Sequence, residues 1–365
     1  MEKIGIITIP DYNNFGNRLQ NYAVKTYFEK KGFKVDSLEM NDKDFPQRGE
    51  RKIKLYLKKY HMTLIMFIYE LLRKDAYCAF RYLKFEKFTR KYLNVRYVPQ
   101  WEEEVSYKIG EQYKYIVLGS DQIWHPYVNT TPNLFFGKFV ECQKRLYFSP
   151  SFGVQAISRS YSDIVKEGLK GVKNLSVREK TGKRLLEELT EANIKVLCDP
   201  TLLLTRDEWS KIAVKPKRIP NDYILSYFLG PTNEEYIAVS NEIKQSLHCE
   251  FYRIASKKDK KSICTGPGEF IYAIKNARYV ITDSFHAVAF SLIFGKPFLV
   301  FSRLNENGKI AGLDSRVELL LSTFNMSDRK YSKKLDTKKT LLPLENITDV
   351  FLEHKNEVDS YFQNI

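Results

Sequence analysis

The sequence predicts an α/β protein of two Rossmann-like domains facing a cleft, with a basic helical insertion in the first domain. Three observations predict it. The 365 residues suit two domains at roughly 100–200 residues each. Short apolar strands alternate with amphipathic helices in two separate runs, the pattern of parallel βαβ units. A polar, proline-containing stretch at 205–220 separates the runs.

The first run opens with KIGIITI (3–9), an apolar strand, and the turn DYNNFGN. A helix is predicted from Arg18 to Lys31, with Leu19, Tyr22, Ala23 and Tyr27 on one face. Gly32 ends it and FKVDSL (33–38) is the next strand. Residues 51–93 interrupt this rhythm with basic helices, in which Leu64, Ile65, Ile68, Leu71 and Leu72 recur at helical spacing. Strands resume at 113–121, 144–153, 173–177 and 194–198, with a helix at 179–189. The second run places strands at 221–230, 249–255, 277–284 and 296–302. Its helices fall at 232–246, 268–277 and FHAVAFSLIF (285–294). The expected division is 1–205 with the insertion at about 45–100, then 206–340, then a C-terminal helix in 341–365.

Hydrophobic residues make up 43% and charged residues 28% of the chain, a composition that forms a core. The formal charge is +15. Residues 51–100 hold thirteen Lys/Arg against Glu70, Asp75 and Glu86. Such a stretch is either a solvated helical face or a surface for an anionic partner. The five cysteines are scattered without a C-x-x-C pair. This argues against a disulfide framework or zinc site and for a reducing compartment. The N-terminus reads as a strand, not a signal peptide. The longest apolar run, 62–72, falls short of the roughly 18 residues of a spanning helix.

Ligands of open α/β sheets bind beyond the carboxyl ends of the strands, which directs attention to five loops. In the first, Asn14, Gly16 and Asn17 lie at a helix N-terminus, suited either to a capped turn or to an anion or sugar hydroxyl. In the second, Ser120, Asp121 and Trp124 follow a strand. Asp121 there either acts as a base or caps a helix, and Trp124 could stack on a sugar face. Arg178 opens a helix after the third strand end. It either binds phosphate or carboxylate through its planar fork or pairs with a nearby acid such as Asp199. His286, with Ser284 and Phe285, sits on the first turn of a helix straight after a strand, a setting that favours function over a structural histidine. His125 lies near the second loop. Arg316 reaches the cleft or the surface. No metal site is expected, because no His/Cys/carboxylate set has ligand spacing.

In their order along the chain, DYNNFGNRLQNYA, VLGSDQIW, FSPSFG, LSVREKTG, VLCDPTLLL, ITDSFHAVAFSLIFGKPFLVF and SRVELLLSTF resemble the polysaccharide pyruvyl transferase family, over about residues 3–325. The basic stretch 51–100 is outside the resemblance. It implies a GT-B-like fold and transfer of pyruvate from phosphoenolpyruvate to a sugar of a polysaccharide or its lipid-linked precursor. The product is a cyclic ketal, with phosphate released. Phosphoenolpyruvate is then a donor substrate and no cofactor is implied.

By motif match, Arg178 binds the donor, His286 is the general acid/base and Asp121 is a second catalytic residue. Asn14, Gly16 and Asn17 line the acceptor or phosphate side. Some family members carry an arginine before the histidine motif where this chain has Ser284. The resemblance therefore implies another donor-binding cation, Arg303 or Arg316.

The alternative is a GT-B glycosyltransferase with a nucleotide-sugar donor. It needs a ribose-binding carboxylate, for which Glu269 is the candidate. A non-enzymatic binding module for nucleic acid or membrane fits a two-domain cleft less well, and no nucleic acid partner is expected. A cytoplasmic location follows from the cysteines. The basic insertion suits peripheral contact with anionic lipid at the inner membrane face, where lipid-linked oligosaccharide acceptors lie. The sequence leaves the oligomeric state open.

Overall fold

The computed structural model describes residues 1–40, 74–98, 108–127, 132–255, 260–311 and 315–363. The first sheet is parallel throughout, in the order β3-β2-β1-β4-β5. Its strands are β1 (Lys3–Ile7), β2 (Lys34–Met40), β3 (Val95–Val98), β4 (Tyr115–Asp121) and β5 (Arg145–Pro150). A parallel pair, β6 (Asn174–Val177) and β7 (Asn193–Val196), lies beside β5. Ser149 N donates to Ser176 Oγ (2.9 Å) and Arg178 N to Pro150 O (3.1 Å) at that seam. The second sheet, in the order β11-β10-β8-β9, is parallel as well. It consists of β8 (Tyr223–Tyr227), β9 (Glu250–Arg253), β10 (Tyr279–Thr282) and β11 (Phe298–Val300).

Both orders reverse direction once, between β1 and β4 and between β8 and β10. Such switch points open a crevice at the carboxyl ends of the strands. The loops singled out in the sequence leave from these ends.

Helix α1 (Phe15–Lys30) begins where Asn14 Oδ1 accepts from Asn17 N (3.3 Å), an N-cap that satisfies an orphan donor. It buries Phe15, Leu19, Ala23, Val24, Tyr27 and Phe28. Gly32, at φ 89°, supplies the left-handed turn into β2 that a side chain would resist. Helix α2 (Lys74–Tyr92) is the described part of the basic stretch. The expected helices over 51–73 lie outside the described residues. The stretch is not helical to its end, because Val95–Val98 pairs with β2. Four residues at a sheet edge carry too short an alternation for periodicity to detect.

The join also differs from expectation. Helices α3 (Pro132–Phe135), α4 (Arg159–Gly168) and α5 (Lys180–Glu187) belong to the first half, and α6 (Arg206–Lys211) lies within the expected linker. Thr205 and Glu208 form a reciprocal capping box on α6, and Trp209 is fully buried, donating to Thr201 O (3.0 Å). T-R-D-E is the sequence signature of such a start.

Helices α7 (Glu234–Leu247), α8 (Pro267–Asn276), α9 (Phe285–Phe294) and α10 (Ser315–Thr323) flank the second sheet. Every residue of α9 is buried, as expected of a helix that is apolar all round. The last helix, α11 (Thr348–Tyr361), returns to the first half: Tyr27 Oη donates to Asp359 (2.8 Å), and Phe362 meets Phe28 and Phe148.

The two sheets share one apolar core. The Phe15 ring at the head of α1 stacks on Phe270 of α8 (centroids 4.6 Å) and meets Tyr227 edge-on (5.7 Å). Full burial of one such side chain is worth about 1.5–3 kcal/mol. Helix α2 braces the same seam. Arg81 Nη2 donates to Asn13 O (2.6 Å), and Lys84 Nζ lies 2.7 Å from both Glu269 oxygens. Among the described residues, no helix is long and apolar enough to cross a membrane.

Candidate active site

A buried cluster of charge forms where the ends of β4, β6, β7 and β10 converge. Arg178 follows β6 and is 3% exposed. Its Nη2 donates to Ser120 Oγ (2.5 Å) and lies 2.9 Å from Asp199 Oδ2, and its Nη1 is 3.7 Å from Asp121 Oδ1. His286 enters from the second sheet on the first turn of α9, with Nε2 3.6 Å from the same Asp199 oxygen. Arg178 Nε, Arg178 Nη1 and His286 Nε2 are buried without a hydrogen-bond partner. Asp199 Oδ2 between them is unpartnered as well, whereas buried polar atoms are normally satisfied.

Burial works to raise the carboxyls of Asp199 and Asp121. The Arg178 and His286 charges overcome it, and Arg316 adds to this at Asp121. Both groups are held below the usual carboxylate range. Arg316 is half-buried; burial and the nearby Arg178 charge lower its guanidinium. The guanidinium carbons of Arg178 and Arg316 lie 5.6 and 6.0 Å from the centre of the Phe285 ring, within cation–π range. Two like charges beside one ring favour an anion between them.

The first loop serves this cluster indirectly. Asn17 is buried. Its Oδ1 accepts from Asp11 N (3.0 Å) and from Arg18 Nε and Nη2 (3.2 and 3.1 Å), and its Nδ2 donates to Asp121 Oδ2 (3.2 Å). Arg18 is fixed in turn by Glu39 (2.6 Å). Gly16 packs on the histidine: a Cβ there would stand 1.9 Å from His286 Nδ1. Asn14 is exposed and caps α1, the bland reading of that residue.

The structure thus brings together His286, Asp121, Arg178, Gly16, Asn17, Ser120, Phe285 and Arg316. Three expectations need correction. Trp124 does not present a face to a sugar. It is fully buried, donates to Phe135 O (3.2 Å) and packs on Phe136, Tyr147 and Phe152. Its apolar neighbours outweigh the loop's polar character. Ser120 and Asn17 spend their polar atoms on protein partners, Arg178 and Asp121 among them. Ser284 is buried at the N-cap of α9, its N–H bonded to Thr282 Oγ1 (3.0 Å).

Of the two candidate replacement cations, Arg303 is engaged by Asp283, with Nη2 donating to its carbonyl (3.3 Å) and Nε 3.7 Å from Oδ2. Asp283 also accepts from Leu229 N and Gly230 N (2.7 and 2.8 Å), tying the β8 loop to the β10 loop. Arg303 Nε is nonetheless buried without a hydrogen-bond partner, while Arg316 shares the Phe285 ring with Arg178. Glu269, needed for a ribose in the alternative reading, is taken by Lys84 and by Gly266 N (2.9 Å).

Asp199 is the site residue the sequence reading named only as a partner for Arg178. The ion pair exists, and it leaves two Arg178 nitrogens for a ligand. An Asp-Pro-Thr start of a 3-10 turn just beyond a strand end was the available signal.

A family model described as polysaccharide pyruvyl transferase matches residues 14–305. No curated protein matches the chain. Among solved structures, a protein described as a UDP-N-acetylglucosamine 2-epimerase from Listeria monocytogenes is similar at 11% identity and TM-score 0.47, covering 100% of this chain and 97% of that one. The UDP-GlcNAc 2-epimerase of Methanocaldococcus jannaschii follows at 12% identity and TM-score 0.44, covering 99% and 100%. UGT89C1 of Arabidopsis thaliana, solved with UDP-L-rhamnose, follows at 9% and 0.44, covering 99% and 91%.

Proposed function

The chain belongs to the polysaccharide pyruvyl transferase family, and from that premise we propose that it transfers pyruvate from phosphoenolpyruvate to two hydroxyls of a glycan sugar, as a cyclic ketal, with release of phosphate. The observation that carries this reading is the trio of unpartnered buried nitrogens on Arg178 and His286. A ligand with a phosphate and a carboxylate satisfies Arg178 and Arg316 together, through charge-assisted bonds.

The chemistry follows from the residue types. A proton delivered to the methylene carbon of the donor makes C2 electrophilic. One acceptor hydroxyl attacks C2 and gives up its proton. The C2–O bond to phosphate breaks, its electron pair leaving with phosphate, and the second hydroxyl attacks C2 and loses its proton to the departing phosphate or the base, which closes the ketal. His286 is the group suited to give and take these protons. Asp121 is held ionised by Arg178, so it serves charge balance or the base step, not proton delivery. The N-terminus of α9 and the two arginines favour the departing phosphate.

The acceptor is a sugar of a polysaccharide or of its lipid-linked precursor, and the basic stretch 51–100 suits contact with an anionic membrane surface. Its residues 51–73 lie outside the described part. The protein works in the cytoplasm, peripherally at the membrane face where such precursors are built. The division into domains 1–205 and 206–340 belongs to the same proposal, with α11 (Thr348–Tyr361) the helix of the C-terminal segment.

Thermal unfolding with ligand panels tests the reading, because a ligand that binds only the folded state raises the melting temperature. Stabilisation by phosphoenolpyruvate, not reproduced by phosphate and lost in Arg178→Ala, supports it. Stabilisation by a nucleotide sugar instead moves the chain to the glycosyltransferase reading.

A further inference from the structure

We propose that Asp199 is the positioning residue of this site, fixing the pose of Arg178 and seating His286 against it across the two sheets. The inference rests on the reading above only for the identity of the ligand. Asp199 is 1% exposed. Its Oδ1 accepts from Thr201 N (2.9 Å) and Thr201 Oγ1 (2.7 Å). It caps the 3-10 turn Pro200–Leu203, whose first residue is a proline of fixed φ. One oxygen is thereby locked, which fixes the plane of the carboxylate and aims the other.

That other oxygen lies at ion-pair distance, without a hydrogen bond, from Arg178 Nη2 of one half of the molecule (2.9 Å) and His286 Nε2 of the other (3.6 Å). Ser120 Oγ takes the same Nη2. Asp199 and Ser120 together occupy one nitrogen of the guanidinium and leave Nε and Nη1 for a ligand. Ser120 is itself immobilised, donating to Ser149 O (2.8 Å) while its N–H bonds Gln20 (3.1 Å). Every anchor of Arg178 is therefore rigid, and Asp199 is the one that also touches the histidine.

A positioning role has a consequence opposite in sign to simple electrostatics. Deleting a negative charge beside an arginine should, on charge alone, tighten binding of an anion. If Asp199 instead sets the pose of Arg178, its loss weakens binding although the site becomes more positive.

The test uses the full chain. Affinity for phosphoenolpyruvate and for inorganic phosphate is measured by calorimetry in wild type, Asp199→Asn, Arg178→Lys and the double variant, with crystal structures of wild type and Asp199→Asn. Asparagine keeps the acceptor for Thr201 and removes the charge. We expect at least a ten-fold loss of affinity in Asp199→Asn, and a crystal structure in which Arg178 leaves Ser120 Oγ. The loss should shrink to under two-fold in the Arg178→Lys background, the coupling that marks one residue acting through another.

Unchanged or tighter binding in Asp199→Asn overturns the proposal, as do losses that simply add. Thr201→Val removes one of the two bonds to the anchored oxygen without deleting the charge and should weaken binding in the same direction, by less, which covers a poorly folding Asp199→Asn. If wild type binds no phosphoenolpyruvate, the donor reading fails, while the pose of Arg178 in the two crystal structures still decides the role of Asp199.

Discussion

Gly16 and His286 are packed so closely that the glycine has no room for a side chain. A Cβ on Gly16 would lie 1.9 Å from Nδ1 and 2.2 Å from Cε1 of the His286 ring. The first turn of α1 in one half thus forms the wall against which the histidine of the other half rests. Gly16→Ala is expected to push the ring off Asp199. Overpacking of this kind costs about 1–3 kcal/mol, read as a shift in denaturant midpoint. Donor turnover should fall more steeply than stability. Normal turnover in Gly16→Ala would show that the ring position is not critical.

The two arginines should separate by ligand. Arg178→Ala should remove stabilisation by phosphoenolpyruvate and lower the affinity for phosphate, since hydrogen bonds to charged groups are worth about 1.5–3 kcal/mol each. Arg316→Ala should weaken phosphoenolpyruvate, which carries two anionic groups, more than phosphate. Calorimetric affinities for the two ligands check this, and equal losses would remove Arg316 from the donor site.

Asp199 sets a pH dependence of stability. Its folded value lies below the ordinary 3.8, so the folded state favours its ionised form. That contribution is fully present above about pH 5 and is lost as pH falls through the lowered value. Asp199→Asn lacks it. The gap in melting temperature between wild type and Asp199→Asn should therefore be widest above about pH 5 and should begin to narrow as pH falls below the ordinary carboxylate value. A gap that stays constant would contradict the assignment.

Trp124 separates packing from binding. Trp124→Ala should destabilise the fold by about 3–5 kcal/mol, as large core truncations do. Trp124→Phe should retain donor and acceptor affinity. A selective loss of sugar binding in Trp124→Phe, with the melting temperature unchanged, would restore the stacking role.

The basic stretch offers a test outside the described residues. Replacing Arg51, Lys52, Lys54, Lys58 and Lys59 with neutral residues should weaken binding to anionic vesicles, each such charge near a surface being worth about 1 kcal/mol. Sedimentation with phosphatidylserine vesicles reads the effect, and unchanged binding would end the membrane proposal.

By itself the sequence determined the two runs of parallel strands and the loops that carry His286, Arg178 and Asp121. Apolar periodicity and strand-end punctuation are local signals, and buried parallel strands such as YVIT write them plainly. It did not reveal β3, whose four edge residues are too few to show a period, nor α6, whose capping box went unread inside a polar stretch. Only the tertiary structure decided which polar residues face a ligand. Trp124, Ser120 and Asn17 sit at strand ends and a helix start that read as functional, yet packing turned the first into core and the other two into supports. Asp199 went the opposite way, from a supposed ion-pair partner to the point where the two halves meet. Those outcomes depend on which side chains the second sheet brings within 4 Å of the first, and a contact made across the fold leaves no period along the chain.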